Sequence, residues 1–238
     1  MQPVDDREDS AVVLRADAYG EADRIVTLFC AHGGKLRAIA RGARRSQKRF
    51  ASLQPSLRGS VRLQRRAAPA LHVLESFAVD DGQLGLLADL GRLSHAAYFC
   101  ELTDLLSAPE ASEPRLYALL AGVLAELHAH PASVERLRRF EARALSILGF
   151  LPAIDTCVQC SKKIDAAAGW RDSGLLCADC APDPLRFSLA PLWSLFDEAA
   201  RGTSPDLPRL RPLLQSWLRG PLDGRPLRTV AFIEEINR

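Results

Sequence analysis

Arg24-Ile-Val-Thr-Leu-Phe-Cys-Ala-His-Gly-Gly-Lys-Leu-Arg-Ala-Ile-Ala40 holds two short runs of strand-forming residues, Arg24–Cys30 and Lys35–Ala40, separated by Ala31-His32-Gly33-Gly34. β-Branched and aromatic side chains suit a pleated, half-buried surface, and paired glycines supply the positive φ angles of a tight hairpin turn. The stretch predicts a hairpin. Upstream, Ala11-Val-Val-Leu-Arg15 reads as a further strand, reached across the turn-forming Tyr19-Gly20, and residues 1–10 read as a frayed, charged leader. Downstream, Ser60–Arg65 alternates with period two and Leu71–Val79 does so loosely. Five short strands with a longer connection before the fourth predict a small closed barrel of the oligonucleotide-binding (OB) type, with a five-stranded SH3-like barrel as the rival.

Charge is distributed unevenly over this pattern. Lys35 to Leu74 carries eleven basic residues (Lys35, Arg37, Arg41, Arg44, Arg45, Lys48, Arg49, Arg58, Arg62, Arg65 and Arg66) and no acidic one, in a chain whose net charge is only +2. Solvated faces normally mix both signs, so this segregation calls for a polyanionic partner. Arg41, Arg44, Arg45, Lys48 and Arg49 fall in the connection after the third strand, which reads as an exposed loop or short helix too rich in charge to pack, and Lys35 and Arg37 fall on the neighbouring strand. Phe50 is the only aromatic residue between Lys35 and Leu74. Affinity for a nucleic acid would therefore come mainly from phosphates.

After Asp80-Asp81-Gly82 the apolar period lengthens from two to 3.6 residues, which places a domain boundary there: a barrel over 1–80 and a helical domain over 81–238. Helices are expected from about Leu90 to before Pro109, from a Ser112 cap through Leu116–Leu127, and from a Ser133 cap to Gly149. Further helices are expected over Leu189–Arg201 after a Ser188 cap, over Leu210–Leu218, and in the Gly224–Ile236 tail. The class is α+β, multidomain. Between about 153 and 187 the helical pattern is interrupted by Cys157-Val-Gln-Cys160 and Cys177-Ala-Asp-Cys180, a C-x2-C-x16-C-x2-C arrangement suited to one zinc ion held by four thiolates, with a small hairpin in the intervening segment. Four sulfur ligands leave no position for a substrate water, so this zinc would be structural. Cys30 and Cys100 lie in apolar contexts and read as buried, inert thiols. Arg136, Arg139 and Arg143 share a helical stripe, but Glu135 stands four residues before Arg139, so a solvated face explains them as well as a binding one.

Enzymatic signatures are missing: no H-E-x-x-H, G-x-S-x-G or G-x-G-x-x-G occurs, and Gly34-Lys35 lacks the remainder of a phosphate loop. The acidic start without an apolar core, and the lack of an eighteen-residue apolar run, argue against a signal peptide or a membrane span and for a cytosolic protein.

Val12-Val-Leu-Arg15, Tyr19-Gly-Glu-Ala-Asp-Arg24, Gly34-Lys-Leu-Arg-Ala-Ile-Ala-Arg-Gly-Ala-Arg-Arg45 and Gly224-Arg-Pro-Leu-Arg-Thr229, with the cysteine quartet, resemble the bacterial RecO recombination mediator family over nearly the whole chain. The resemblance implies an N-terminal OB-fold and a helical C-terminal domain, in many members with a zinc-binding insert. It implies binding to single- and double-stranded DNA, annealing of complementary strands, and loading of RecA, together with RecR, onto strands coated by single-strand-binding protein. A non-enzymatic, nucleoid-associated protein without a small-molecule substrate follows. An RNA-binding or ribosome-associated zinc protein is the alternative, and a nuclease using the cysteine cluster is a weaker one, because four thiolates leave no water site.

Overall fold

Strand-forming runs separated by tight turns leave unpaired edges unless the sheet closes on itself. Here it closes. The computed structural model describes residues 6–46, 48–50, 52–64, 71–80, 89–164, 167–181, 187–196 and 210–236. β1 (Asp6–Tyr19), β2 (Asp23–Cys30), β3 (Gly34–Ala40), β4 (Arg58–Gln64) and β5 (His72–Val79) form a closed barrel in the order β1-β2-β3-β5-β4. β1 pairs antiparallel with both β2 and β4, and β3 pairs parallel with β5. This is the Greek-key arrangement of the OB-fold. Val26, Leu28, Leu36, Ala38, Val61 and Phe77 are among the side chains that fill its interior.

Two expectations are corrected in the barrel. Residues 6–10 are not a frayed leader: they extend β1 and pair with β4, from Asp6 opposite Gln64 to Ser10 opposite Ser60. Glu8 and Asp9 have partners on other strands and turns, and residues 1–5 of the expected leader lie outside the described residues. Glu8 meets Arg62, and the Asp9 carboxylate accepts bonds from the backbone N–H groups of His32 (3.1 Å) and Gly33 (3.0 Å), tying β1 to the β2–β3 turn. The connection after β3 also packs after all. Its cations face outward, while Phe50, Leu53 and Leu57 enter the barrel core. Three apolar residues spaced along a charged loop have no period of their own, so their inward direction is set by the open barrel end rather than by local pattern.

Two compact units are formed, one from residues 1–132 and 227–238 and the other from 133–226. In the first, α1 (Leu90–Leu106) packs on β1, α2 (Pro114–Ala129) packs on α1, and the tail returns as α6 (Thr229–Ile236) against α1. Asp89 caps α1 through Arg92 N–H at 2.8 Å. The cap position of α2 is Glu113, not Ser112, and it makes no side-chain capping bond. Glu101 of α1 accepts the backbone N–H of Arg228 at 3.0 Å and of Thr229 at 2.9 Å, satisfying donors that a helix start leaves orphaned. Asp104 of α1 meets Arg15 at 3.0 Å and Lys35 at 3.3 Å, which clamps the helix over β1 and β3.

The second unit contains α3 (Val134–Ile147), capped by Ser133 as expected and followed by Gly149 at φ +75°. The interruption holds β6 (Ala167–Arg171) and β7 (Gly174–Leu176), the expected hairpin, with β8 (Phe187–Ser188) on the other edge of β6. α4 (Ala190–Ser194) is shorter than expected and its cap position is Leu189, not Ser188; residues 197–201 of that expected helix lie outside the described residues. α5 (Leu210–Arg219) follows, its buried face formed by Leu210, Leu213, Leu214, Trp217 and Leu218.

Gly34 joins the two layers of the first unit most tightly. At φ +68°, a Cβ here would stand 1.9 Å from the Ala111 carbonyl oxygen, so both conformation and space demand glycine. Gly34→Ala is expected to lower unfolding free energy by about 2 kcal/mol or more in urea titration, well beyond an ordinary surface substitution.

Candidate nucleic-acid interface and metal centre

Folding sorts the basic stretch into two groups. Lys35 lies under α1, its ammonium on the carboxylate and the backbone carbonyl of Asp104, with 14% of the side chain exposed. Arg58 pairs with Asp80 and Arg62 with Glu8. These three answer carboxylates supplied by other strands and by α1. Arg65 and Arg66 lie outside the described residues. The other six are all exposed, Arg37 at the middle of β3 and Arg41, Arg44, Arg45, Lys48 and Arg49 on the loop after it. Among the described residues, no carboxylate pairs with Arg37, Arg41 or Lys48. Arg45 approaches Glu21 only to 3.9 Å with both side chains in solvent, a contact worth little.

The loop is held in place by its backbone and by β2. Asp23 accepts the Gly42 N–H at 2.8 Å, Arg44 N–H donates to the Ala22 carbonyl at 3.0 Å, and the Arg24 guanidinium donates to the Leu53 carbonyl at 3.0 Å. Adjacent residues of β2 thus fasten both ends of the loop. Arg44 also donates to the Glu21 carbonyl at 3.1 Å, and Arg49 donates to the Arg41 carbonyl at 3.0 Å while lying 5.2 Å from the centroid of the Phe50 ring. With Phe50 in the core, the loop presents cations and no stacking face. Such a surface neutralises phosphates without covering base edges.

Asp23 and Arg24 stand in the sequence within the Tyr19–Arg24 motif, but their roles, like that of Asp104, exist only across elements. Tyr19, in the same motif and beside the turn-forming Gly20, is an exposed aromatic next to the turn to which the loop is fastened. The weaker basic stripe resolves structurally: Arg139 pairs with Glu135 at 2.9 Å, and Arg139 and Arg143 both donate to the Leu195 carbonyl at the end of α4. Cys30 is enclosed by the barrel, and burial pushes the Cys100 thiol up to about 12, so both are inert.

The four cysteines of the interruption converge. Their sulfurs all lie within 4.8 Å of one another, and those of Cys160 and Cys177 are 3.6 Å apart. A tetrahedral ion with metal–sulfur bonds of about 2.3 Å places its sulfurs about 3.8 Å apart, so the cluster fits such an ion. Each pair is shaped by a tight turn: Ser161 N–H donates to the Cys157 carbonyl at 2.8 Å, and Ala181 N–H to that of Cys177 at 3.0 Å. Ser161 sits at φ +60°, and the Cys157 N–H donates to the Lys162 carbonyl at 2.8 Å while the Lys162 N–H points at the Cys160 sulfur, closing the turn around the first cysteine pair. Burial raises the Cys157 thiol, but backbone N–H groups aimed at its sulfur outweigh this and lower it to about 6, whereas the neighbouring Cys177 and Cys160 sulfurs push the Cys180 thiol up to about 12, so crowded sulfurs share few negative charges until a cation sits among them. Lys162 and Asp179, one from each knuckle, pair at 3.0 Å. The arrangement can hold one metal ion on four sulfurs.

Family models match nearly the full length: one described as Recombination protein O N terminal over residues 1–80, and one described as Recombination protein O C terminal over residues 87–229. The chain is 37% identical over 248 residues to the DNA repair protein RecO of Anaeromyxobacter sp. (strain K), covering 96% of each. It is 35% identical over 238 residues to that of Geobacter sulfurreducens, covering 95% of this chain and 97% of the relative. With that of Myxococcus xanthus the identity is 33% over 244 residues, covering 97% and 98%.

If Asp23 fixes the loop, Asp23→Ala will speed amide hydrogen exchange at residues 42–46 while lowering global stability by only about 1 kcal/mol, the usual worth of one hydrogen bond. Unchanged exchange at Gly42 would show that the loop is held without it.

Proposed function

The chain belongs to the RecO family, and from that premise we propose that it is a non-enzymatic mediator of DNA repair and recombination that binds single- and double-stranded DNA and anneals complementary strands. With RecR it would help load RecA onto strands coated by single-strand-binding protein. In this reading the barrel of residues 1–80 grips DNA and the helical region of 81–238 meets proteins. The observation that carries it is the loop cluster of Arg37, Arg41, Arg44, Arg45, Lys48 and Arg49, exposed and fastened to β2. Lys35, held by Asp104, supports the fold instead.

Annealing follows from electrostatics. Two strands brought together repel through their phosphates, and a fixed cationic surface lowers that barrier while leaving pairing edges accessible. No catalytic group is required for this step. The work is done on DNA in the cytoplasm, at the nucleoid; among the described residues, no helix is long and apolar enough to cross a membrane.

The metal on Cys157, Cys160, Cys177 and Cys180 is proposed to be a single structural zinc. Thiolate ligands suit zinc, and a full set of four leaves no open position for chemistry. Its task is to fold an insert too small to make its own core.

Arg44→Glu, Arg45→Glu and Lys48→Glu combined are expected to abolish annealing of complementary oligonucleotides in a folded protein. In the wild type, log affinity for single strands should fall with log salt by about 0.7 per neutralised phosphate, and a single Arg44→Ala change should reduce that slope by about as much. Annealing unchanged in the folded triple variant would overturn the reading. Metal analysis should find about one zinc per chain, and chelation should unfold the 153–187 segment first; a metal-free protein with that segment folded would refute the structural zinc.

A further inference from the structure

A polyanion-binding loop explains attraction to any nucleic acid, but not a preference for an open strand. Residues 1–80 contain four aromatic rings of the Phe, Tyr and Trp kind: Tyr19, Phe29, Phe50 and Phe77. The three phenylalanines are buried, whereas Tyr19 is 54% exposed. Its direction follows from the sheet. Ala16 packs against the barrel core, so by alternation Asp17 and Tyr19 point outward from β1. Tyr19 stands opposite Asp23 on β2, and Arg24 stands opposite Ala40 on β3, which puts Arg41 about two strand spacings, about 10 Å, from Tyr19.

The ground between these positions suits a base. Asp17, Ile25 and Ile39 occupy one cross-strand row, and Ile25 and Ile39 are directly opposed and partly exposed on the outer face. Arg37 stands beside them on β3 and Arg44 on the loop, its side chain on the Glu21 carbonyl of the turn that follows Tyr19. Two carboxylates nearby, Asp17 on β1 and Glu21 on the turn, are exposed and repel phosphate at that spot. Cations therefore lie on one side, and an aromatic face with partly exposed isoleucines on the other.

We propose that Tyr19 is a base-stacking residue for single-stranded DNA, with the strand laid across the outer face of β1–β3 so that one base rests on the ring and the flanking phosphates follow Arg37, Arg41 and Arg44. This rests on the loop being the DNA-binding surface. The ring acts at the rim of the cationic loop, so bases further along the strand stay open to pairing, and duplex DNA, whose bases are already stacked, gains nothing from it. Its use is to bias an otherwise indiscriminate grip toward open strands.

The test compares wild type, Tyr19→Ala and Tyr19→Phe by fluorescence anisotropy at one salt concentration, using an oligothymidylate, an abasic oligonucleotide of equal length and a duplex. Tyr19→Ala is expected to weaken binding to the oligothymidylate about tenfold, to leave the abasic strand and the duplex unmoved, and to keep the same salt slope, because no phosphate contact is lost. Tyr19→Phe is expected to bind like the wild type. Equal binding of oligothymidylate by wild type and Tyr19→Ala overturns the proposal and leaves Tyr19 to a protein partner; equal losses on the oligothymidylate and the abasic strand overturn it in favour of a backbone contact. The Arg44/Arg45/Lys48 variant separates the two levels. If it loses every DNA form while Tyr19→Ala binds normally, stacking alone is wrong, and if it still binds like wild type, the loop reading falls and the stacking proposal with it.

Discussion

A row of five strands closes into a barrel only if its two outermost strands pair with each other, and in this chain β1 makes that pairing with β4 while its other edge pairs with β2. Its first half, from Asp6, lies against β4 and its second half, from Ala11, lies against β2, with the bulge between Val13 and Arg15 where the pairing shifts. Bulges of this kind bend a strand and increase its twist, which is what closure needs. Ser56 and Leu57 attach to Val13 through backbone bonds of 2.8 and 2.9 Å, so the return of the chain into β4 is fixed at the same place. α1 covers the outer side, where Val12 and Leu14 are also buried.

Closure has an electrostatic consequence. Strands that wrap around one another bring carboxylates from distant sequence positions to some cations and leave others alone. Glu8 reaches Arg62, Asp80 reaches Arg58, and Asp104 reaches Lys35 and Arg15. Among the described residues, the only carboxylate that the cations between Arg37 and Arg49 approach is Glu21, in the weak contact with Arg45. A run of charge that looks uniform in the sequence becomes a neutralised flank and an available loop. That loop can stay cationic at little cost because its apolar residues, Phe50, Leu53 and Leu57, anchor it to the core from beneath.

The cysteine cluster meets a different constraint. Three short strands and two turns bury little apolar surface of their own, and the four cysteines converge where a metal ion could add ligand bonds to that packing. Within the first knuckle Cys157 is buried and Cys160 exposed, while Cys177 and Cys180 of the second are half-buried, so the cluster has one inner sulfur and an edge at the surface. The Lys162–Asp179 pair links the knuckles across that surface.

Local physics written in the sequence determined a great deal: the strand periods and the paired glycines of the β2–β3 turn, the change of period after residue 80, the Ser133 cap and Gly149 stop of α3, and a sulfur spacing suited to one shared ion. Those properties act over a few residues, so they survive without a fold. Tertiary structure alone decided that Asp6–Ser10 join β1, that a charged loop carries three core residues, that α2 starts without Ser112 as its cap, and which cations keep their charge available. Tyr19 belongs to the same class, because its proximity to the loop depends on strand register and not on sequence distance. Contacts between residues tens of positions apart are set by closure of the sheet, and no period or spacing within a single stretch encodes them.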